Sequence, residues 1–156
     1  MAVRFDRAVF DGRKCARYGA RRFQYWTSSS LTHVADELRT AAATDPHYTA
    51  ARRLADFGND AFILAHREGD GVVEWHETQA DVFFVQSGSA TLIVGGTMIG
   101  GETTEPHEKR NGRIEGGVRC KLSAGDVVRS PARMPHQLVL DGSKEFTYFV
   151  VKVKGY

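Results

Sequence analysis

From residue 61 to its end, the chain consists of short runs rich in β-branched and aromatic residues, separated by glycine, proline, aspartate and serine. Eight such runs occur at near-regular spacing, which is typical of a β-sandwich or a closed β-barrel rather than of alternating strands and helices. They cover residues 61–66, 72–78, 82–86, 90–94, 118–122, 126–130, 137–140 and 146–153. The sequence therefore predicts an all-β domain over residues 59–156.

The first 58 residues predict an extension of this domain rather than a second one, because a chain of 156 residues suits a single domain. Residues 26–30 are rich in helix-capping types, and from Leu31 apolar side chains recur at helical spacing until Pro46 ends the pattern. This predicts an amphipathic helix over residues 31–43 that packs on the barrel. Residues 48–57 are predicted as a second helical or irregular piece.

A long polar stretch, residues 97–117, separates the fourth run from the fifth and contains five glycines. Loops of this length inside a compact domain are usually functional or mobile. We expect the stretch to be a loop that covers the mouth of the barrel.

Composition argues against several classes of partner. The formal net charge is only +2, and the arginine-rich residues 4–22 are interpreted as a solvated arm whose aromatic side chains dock on the body. No apolar run approaches the ~18–20 residues of a membrane span, and the start lacks the apolar core of a secretion signal. Cys15 and Cys120 form neither a CxxC pair nor a disulfide framework. We expect a cytoplasmic protein without nucleic-acid or membrane partners.

Four side chains with oxygen or nitrogen donors are spaced as a divalent metal requires. Glu74 and His76 lie two residues apart in one run, so they share a face of the predicted strand. Asp81 follows five residues after His76, across a tight turn, and His136 begins a distant run. Imidazole and carboxylate groups pooled from several strands suit Zn, Mn, Fe, Ni or Co. The spacing alone also fits a salt-bridged row of surface residues.

The same residues fall in a pattern that resembles the two motifs of the cupin superfamily. The first segment reads Glu74-x-His76-x4-Asp81-x6-Gly88, and the second reads Gly125-x5-Pro131-x4-His136. The resemblance covers about residues 60–153 and implies one jelly-roll β-barrel with a metal held by Glu74, His76, Asp81 and His136. Glu74 stands where the family usually has a histidine, and Asp81 where it has a glutamate. The shorter Asp81 either ligates directly or acts through water or as a proton acceptor, with the other three as ligands.

Three functions are expected from these observations. The first is a metal-dependent enzyme that acts on a small oxygenated organic molecule by Lewis-acid and proton-transfer chemistry, as an isomerase, cyclase or lyase. The resemblance to cupins also allows an Fe(II)-dependent dioxygenase or a non-catalytic small-molecule-binding barrel. The candidate catalytic side chains are Asp81, His66 and Tyr148, which shares a strand face with Lys152. The resemblance further implies a homodimer in which the N-terminal arm covers a neighbouring subunit.

Overall fold

The structure, a computed structural model, describes residues 24–156. The arginine-rich arm, Cys15 and the aromatic residues on which the expected dimer contact depends lie outside the described residues. The homodimer and the docking of the arm therefore stay predictions. Within residues 24–156, no helix has the length and apolar character that crossing a membrane requires.

One helix and ten strands make up the described part of the chain. Helix α1 covers Ser28–Ala42 and precedes all of the strands. The strands are β1 Thr49–Asp56, β2 Asp60–Arg67, β3 Glu74–His76, β4 Gln79–Val94, β5 Thr97–Glu105, β6 Glu108–Glu115, β7 Val118–Ser123, β8 Val127–Ser130, β9 His136–Val139 and β10 Phe146–Lys154. The predicted fold class, all-β with an N-terminal helical extension, is therefore confirmed.

Antiparallel pairing joins the strands in the order β1-β2-β10-β4-β9-β3-β6-β5, with β7 and β8 also paired to β4. The first half of β4 pairs with β10 and β8, and its second half pairs with β7 and β9. These partners belong to two different sheets, so β4 crosses from one sheet to the other. Side chains of both sheets meet in one apolar core inside the barrel.

In β4, the side chains that face the barrel interior belong to odd-numbered residues before the strand crosses between the sheets and to even-numbered residues after it, which is a change of parity. Asp81, Phe83 and Val85 are buried before the crossing, whereas Ala90 and Leu92 are buried after it. The register between β4 and β10 is irregular at this point. A β-bulge, which inserts one extra residue into a strand, accounts for such a change of parity.

Helix α1 packs on the outer face of β1, β2 and β10. It begins at the predicted capping residues, since the Thr27 hydroxyl accepts a hydrogen bond from the Ser30 amide at 3.0 Å. Leu38 of the helix is buried with Leu64 of β2 and Phe149 of β10 in a second apolar core. Strand β2 is therefore covered on both faces, by the barrel interior on one side and by the helix on the other.

Three segments differ from the sequence prediction. Residues 48–57 are not helical, because they contain β1, which pairs with β2. Residues 97–117 are not a loop, because β5 and β6 form an antiparallel hairpin there. The runs 82–86 and 90–94 belong to one continuous strand, β4. Strands β1, β5 and β6 are exposed along much of their length, so they lack the apolar alternation by which buried strands are recognised.

Gly88 allows a test of the crossing point in β4. Its φ is +75°, and a Cβ at this position would lie 2.1 Å from the carbonyl oxygen of Glu145. Gly88→Ala places alanine in the left-handed region and also forces the two backbones apart. We expect the free energy of unfolding, measured by urea denaturation, to fall by about 3 kcal/mol or more.

Gly142→Ala is the matched control for this variant. Gly142 also has a positive φ, +86°, but apart from its chain neighbours no atom of residues 24–156 lies within 4 Å of its Cβ position. We expect Gly142→Ala to lower the free energy of unfolding by only about 1 kcal/mol. Equal losses in the two variants would contradict the close approach of β4 to Glu145.

Candidate metal centre

Glu74, His76, Asp81 and His136 meet between the two sheets of the barrel. Glu74 and His76 lie on β3, Asp81 lies in the first half of β4, and His136 begins β9, where it pairs with Glu74. One donor atom from each side chain lies within 4.8 Å of every other. Glu74 is half-buried and the other three side chains are buried. The residues form one cluster that could hold a metal ion.

Both imidazole rings direct their Nε2 atoms into this cluster. His76 Nδ1 lies 2.5 Å from Oε2 of Glu108 on β6, so a proton on Nδ1 donates to that carboxylate. His136 Nδ1 lies 3.2 Å from the carbonyl oxygen of Met134, to which it donates in the same way. With Nδ1 protonated in each neutral ring, each Nε2 presents a lone pair to the cluster.

The surroundings of the His136 Nε2 atom show whether these residues suit a metal ion. It is buried and makes no hydrogen bond within residues 24–156, although Asp81 Oδ2 lies 3.5 Å away. Burying a polar atom without a partner is costly, and such atoms call for an explanation. Together with His76 Nε2 and the carboxylate of Glu74, it provides two nitrogen donors and an oxygen donor, which suit divalent transition metals and zinc. The residues present therefore fit a divalent metal ion.

Two cationic side chains hold the carboxylates of the cluster. Lys152 Nζ donates to Asp81 Oδ1 at 2.8 Å and Oδ2 at 2.9 Å, and it lies 3.2 Å from His76 Nε2. Arg110 Nη1 donates to Glu74 Oε1 at 2.6 Å, whereas Glu74 Oε2 lies 3.4 Å from His76 Nε2. Lys152 engages both oxygens of Asp81, and Arg110 engages one oxygen of Glu74. Glu74 is therefore the carboxylate with an oxygen left for a metal.

The charges of the cluster shift the pKa values of its members. Burial raises the pKa of Glu74, but the contact with His76 and the charge of Arg110 outweigh it and lower the pKa to about 2. Burial likewise opposes ionisation of Asp81, yet the two imidazoles and Lys152 hold its pKa well below the usual range. Burial lowers the pKa of His76, but the contacts with Asp81 and Glu74 outweigh it and raise the pKa to about 9. Both carboxylates are ionised at neutral pH, as metal ligation requires, whereas His76 is protonated there, so a metal that binds at its Nε2 would displace a proton.

A cavity of about 360 Å³ adjoins the cluster. Ile63, Phe83 and Val150 contribute apolar parts of its wall, and Glu74 and Asp81 belong both to the wall and to the cluster. Small-molecule sites commonly combine an apolar wall with a few convergent polar groups. A small ligand in this cavity would therefore contact the metal-donor side chains.

No protein-family model and no curated protein sequence matches the chain. Solved structures do resemble it. An uncharacterised conserved protein with a double-stranded β-helix domain from Klebsiella pneumoniae is 15% identical, with a TM-score of 0.57 over 86% of this chain and 92% of that protein. TT1209 from Thermus thermophilus is 16% identical, with a TM-score of 0.52 over 70% and 87% of the two chains. KdgF from Halomonas sp. is 13% identical, with a TM-score of 0.50 over 71% and 84%.

The double-stranded β-helix of the first of these structures is the barrel of the cupins. The chain has the cupin fold. Its first motif segment supplies β3 and the first half of β4, and its second supplies β8 and the start of β9. In the cupin barrel β9 pairs with both β3 and β4, so the two segments are neighbours although they are far apart in sequence. The resemblance to cupins is confirmed at the level of the fold.

Two of the three candidate catalytic residues line the cavity of the cupin barrel, and one does not. Asp81 and Tyr148 contribute to the cavity wall. His66 lies on the opposite face of β2 from Ala65, which lines the cavity. The His66 ring contacts Thr147 Oγ1 at 2.8 Å, on the side of the sheet that α1 covers. His66 therefore does not line this cavity, and its catalytic role stays a prediction.

His66 belongs instead to a second group of potential donors on the outer side of the sheet, with Glu68 and Glu145. Arg39 of α1 donates to Glu145 at 3.0 Å and forms an ion pair with it. Both ring nitrogens of His66 also have partners, Thr147 Oγ1 at 2.8 Å and Glu68 Oε1 at 3.3 Å, so this group has no unpartnered nitrogen like His136 Nε2 and we assign no metal to it.

Three side chains near the centre were not identified from the sequence: Glu108, Arg110 and Arg67. The first two lie on β6, inside the stretch predicted as a loop. Had that strand been recognised, its period of two would have placed Glu108 and Arg110 on one face. Arg67 lies two residues after Ala65, so the same period places it in the cavity, where the structure has it.

Glu108 is expected to position His76 for metal binding. Glu108→Ala removes the acceptor of the Nδ1 proton, so the ring loses its fixed orientation and tautomer. We expect metal affinity, measured by competition with a chromogenic chelator, to fall about 10- to 100-fold. Glu105→Ala, at an exposed position on the same hairpin, is the control and should leave affinity unchanged. An unaltered affinity in Glu108→Ala would show that this contact does not support the centre.

Proposed function

We propose that the chain is a metal-dependent enzyme that acts on a small oxygenated organic molecule by Lewis-acid and proton-transfer chemistry, of the isomerase, cyclase or lyase type. The observation that carries the proposal is the buried His136 Nε2, which has no hydrogen-bond partner within residues 24–156 and faces a cluster of metal-donor groups. Glu74, His76 and His136 would hold the ion. Asp81 would be a fourth ligand or a neighbouring carboxylate fixed by Lys152.

The side chains of the cavity wall support proton transfer at this centre. A bound divalent ion supplies Lewis acidity, which polarises a carbonyl or hydroxyl oxygen of a substrate. Lys152 Nζ lies where the cluster meets the cavity, and Tyr148 lies on the same inward face of β10. Both groups carry protons that can stabilise, or be transferred to, a substrate oxygen as negative charge develops on it. The buried Phe83 ring lies 5.7 Å from the Tyr148 ring and adds an apolar surface to this part of the wall.

A second candidate, an Fe(II)-dependent dioxygenase, is favoured by one observation. Because Lys152 engages both oxygens of Asp81, the remaining donors Glu74, His76 and His136 are two histidines and one carboxylate. Non-haem Fe(II) oxygenases use such a set and keep coordination positions open. Oxygen consumption by the iron-loaded protein, absent from the zinc-loaded protein, would support this candidate over the first.

Metal content tests the centre directly. We expect elemental analysis to find near-stoichiometric divalent metal in protein purified without chelators or a histidine tag. His76→Ala and His136→Ala should each lose the metal, because each removes one nitrogen donor. His107→Ala is the matched control and should keep it, since His107 is exposed and pairs with Glu77 at 2.7 Å outside the cluster.

The outcome of this measurement separates the candidate functions. Iron directs the assays to oxygen consumption, whereas zinc, manganese, nickel or cobalt directs them to proton-transfer reactions. Failure to take up any of these metals, even after reconstitution of folded protein, would reject the metalloenzyme. A non-catalytic barrel that binds a small molecule would then be the best account of the cavity.

A further inference from the structure

Arg67 is a buried cation in the cavity wall, and no carboxylate among residues 24–156 lies within ion-pair distance of it. It is the last residue of β2, and only 9% of it is exposed. Its Nη2 donates to Tyr148 Oη at 3.0 Å, whereas its Nε has no hydrogen-bond partner among residues 24–156. It forms no ion pair with any of those residues. Burial lowers the pKa of Arg67, but Tyr148 and the charges of Glu74 and Asp70 outweigh it and raise the pKa. The buried Nε still has no acceptor, and such an atom calls for one.

The other two cations of the cavity wall are already paired with carboxylates. Arg110 is paired with Glu74 at 2.6 Å, and Lys152 with Asp81 at 2.8 Å. Asp70 accepts a hydrogen bond from a backbone amide at 2.7 Å. With Arg67, the wall has three arginine or lysine side chains and three carboxylates. A divalent ion at the proposed centre would therefore leave the cavity with a net positive charge.

Arg67 and the metal-donor side chains face the same space. Arg67, Tyr148 and Glu74 line the main cavity, and together with His136 they also line a smaller void of about 20 Å³. A Cβ at Gly71 would lie 2.6 Å from Arg67 Nη1, so the guanidinium packs closely against the backbone. A forked donor group that is held in place in this way matches the two oxygens of a carboxylate.

Tyr148 adds a second donor to this end of the cavity. Its hydroxyl oxygen accepts the hydrogen bond from Arg67, so its own proton is directed elsewhere. The Arg67 guanidinium also lies 5.7 Å from the centre of the Tyr148 ring, which helps to fix the two side chains relative to each other. An anion beside Arg67 would accept the Tyr148 proton as well.

We propose that the cavity takes a small organic carboxylate whose anionic end is bound by Arg67 and Tyr148. The hydroxyl or carbonyl end of the same molecule then faces Glu74 and His136. The orientation of this second end rests on the proposed metal centre, whereas the binding of the carboxylate does not. Arg67 is thus a residue that selects the class of substrate.

Binding is measured first on metal-free protein, because a metal ion also attracts carboxylates. Lactate and gluconate are titrated by calorimetry at fixed low ionic strength, each beside its uncharged amide. We expect the parent protein to bind each carboxylate about tenfold or more tightly than the amide, since hydrogen bonds to charged groups are the stronger ones.

Variants assign this preference to Arg67. Arg67→Met should abolish it, and Arg67→Lys, which keeps the charge without the fork, should retain only part of it. Tyr148→Phe should weaken carboxylate binding without affecting the amide. Arg119→Met is the matched control and should bind like the parent, because Arg119 is exposed and pairs with Asp141 away from the cavity. Circular dichroism identifies any variant that does not fold. The folded variants then show whether Arg67 causes the preference for carboxylates over amides.

The results distinguish this inference from the proposed function. Equal affinity for carboxylates and amides in the parent protein would overturn the inference, as would unchanged selectivity in the folded Arg67 variants. Either result leaves the metal centre untouched. Selectivity that depends on Arg67 in a protein that takes up no metal would support the carboxylate site and reject the metalloenzyme.

Discussion

Strand β4 is the element on which both the barrel and its centre depend, because it is hydrogen-bonded in both sheets. Its first half pairs with β10 and sets Asp81 directly opposite Lys152. Its second half pairs with β9, where Val94 lies opposite His136. The two ladders thus fix how far Asp81 and His136 lie from each other. The irregular register between β4 and β10, next to the close backbone approach at Gly88, marks the point where β4 passes from one sheet to the other.

Much of the barrel and the four donor residues could be predicted from the sequence, because a period of two is informative where one face of a strand is buried. Glu74 and His76 were assigned to one face in this way, and the structure has both in the cluster. The period fails for strands that are exposed on both faces. Strand β6 alternates half-buried and exposed residues, but Ile114 is the one apolar residue on its half-buried face, which is too little to mark it as a strand. Glu108 and Arg110 were missed for that reason.

The side of the sheet on which His66 lies could not be predicted, for the opposite reason. Residues 62–65 are Phe, Ile, Leu and Ala, an unbroken apolar run, because the barrel covers one face of β2 and α1 covers the other. A strand that is buried on both faces shows no alternation, so the sequence cannot assign His66 to a side. For the same reason, the sequence could not assign Arg67 to the inward face of β2, where it lies. Its importance becomes visible only once the pairing of β2 with β10 brings Tyr148 within 3.0 Å of its guanidinium.

The lysine and arginine beside the cluster are compatible with a metal once the charges are counted. Glu74, Asp81 and Glu108 contribute three negative charges, and Lys152 and Arg110 contribute two positive ones, so the cluster with neutral imidazoles carries about −1. A divalent ion would bring this total to about +1. Without Lys152 and Arg110, the three carboxylates and a divalent ion would together carry a charge of about −1. The carboxylates would then neutralise much of the charge by which the ion polarises a substrate oxygen. Lys152 and Arg110 therefore orient the carboxylates and also preserve the acidity of the proposed centre, and the remaining positive charge is what an anionic substrate anchored by Arg67 requires.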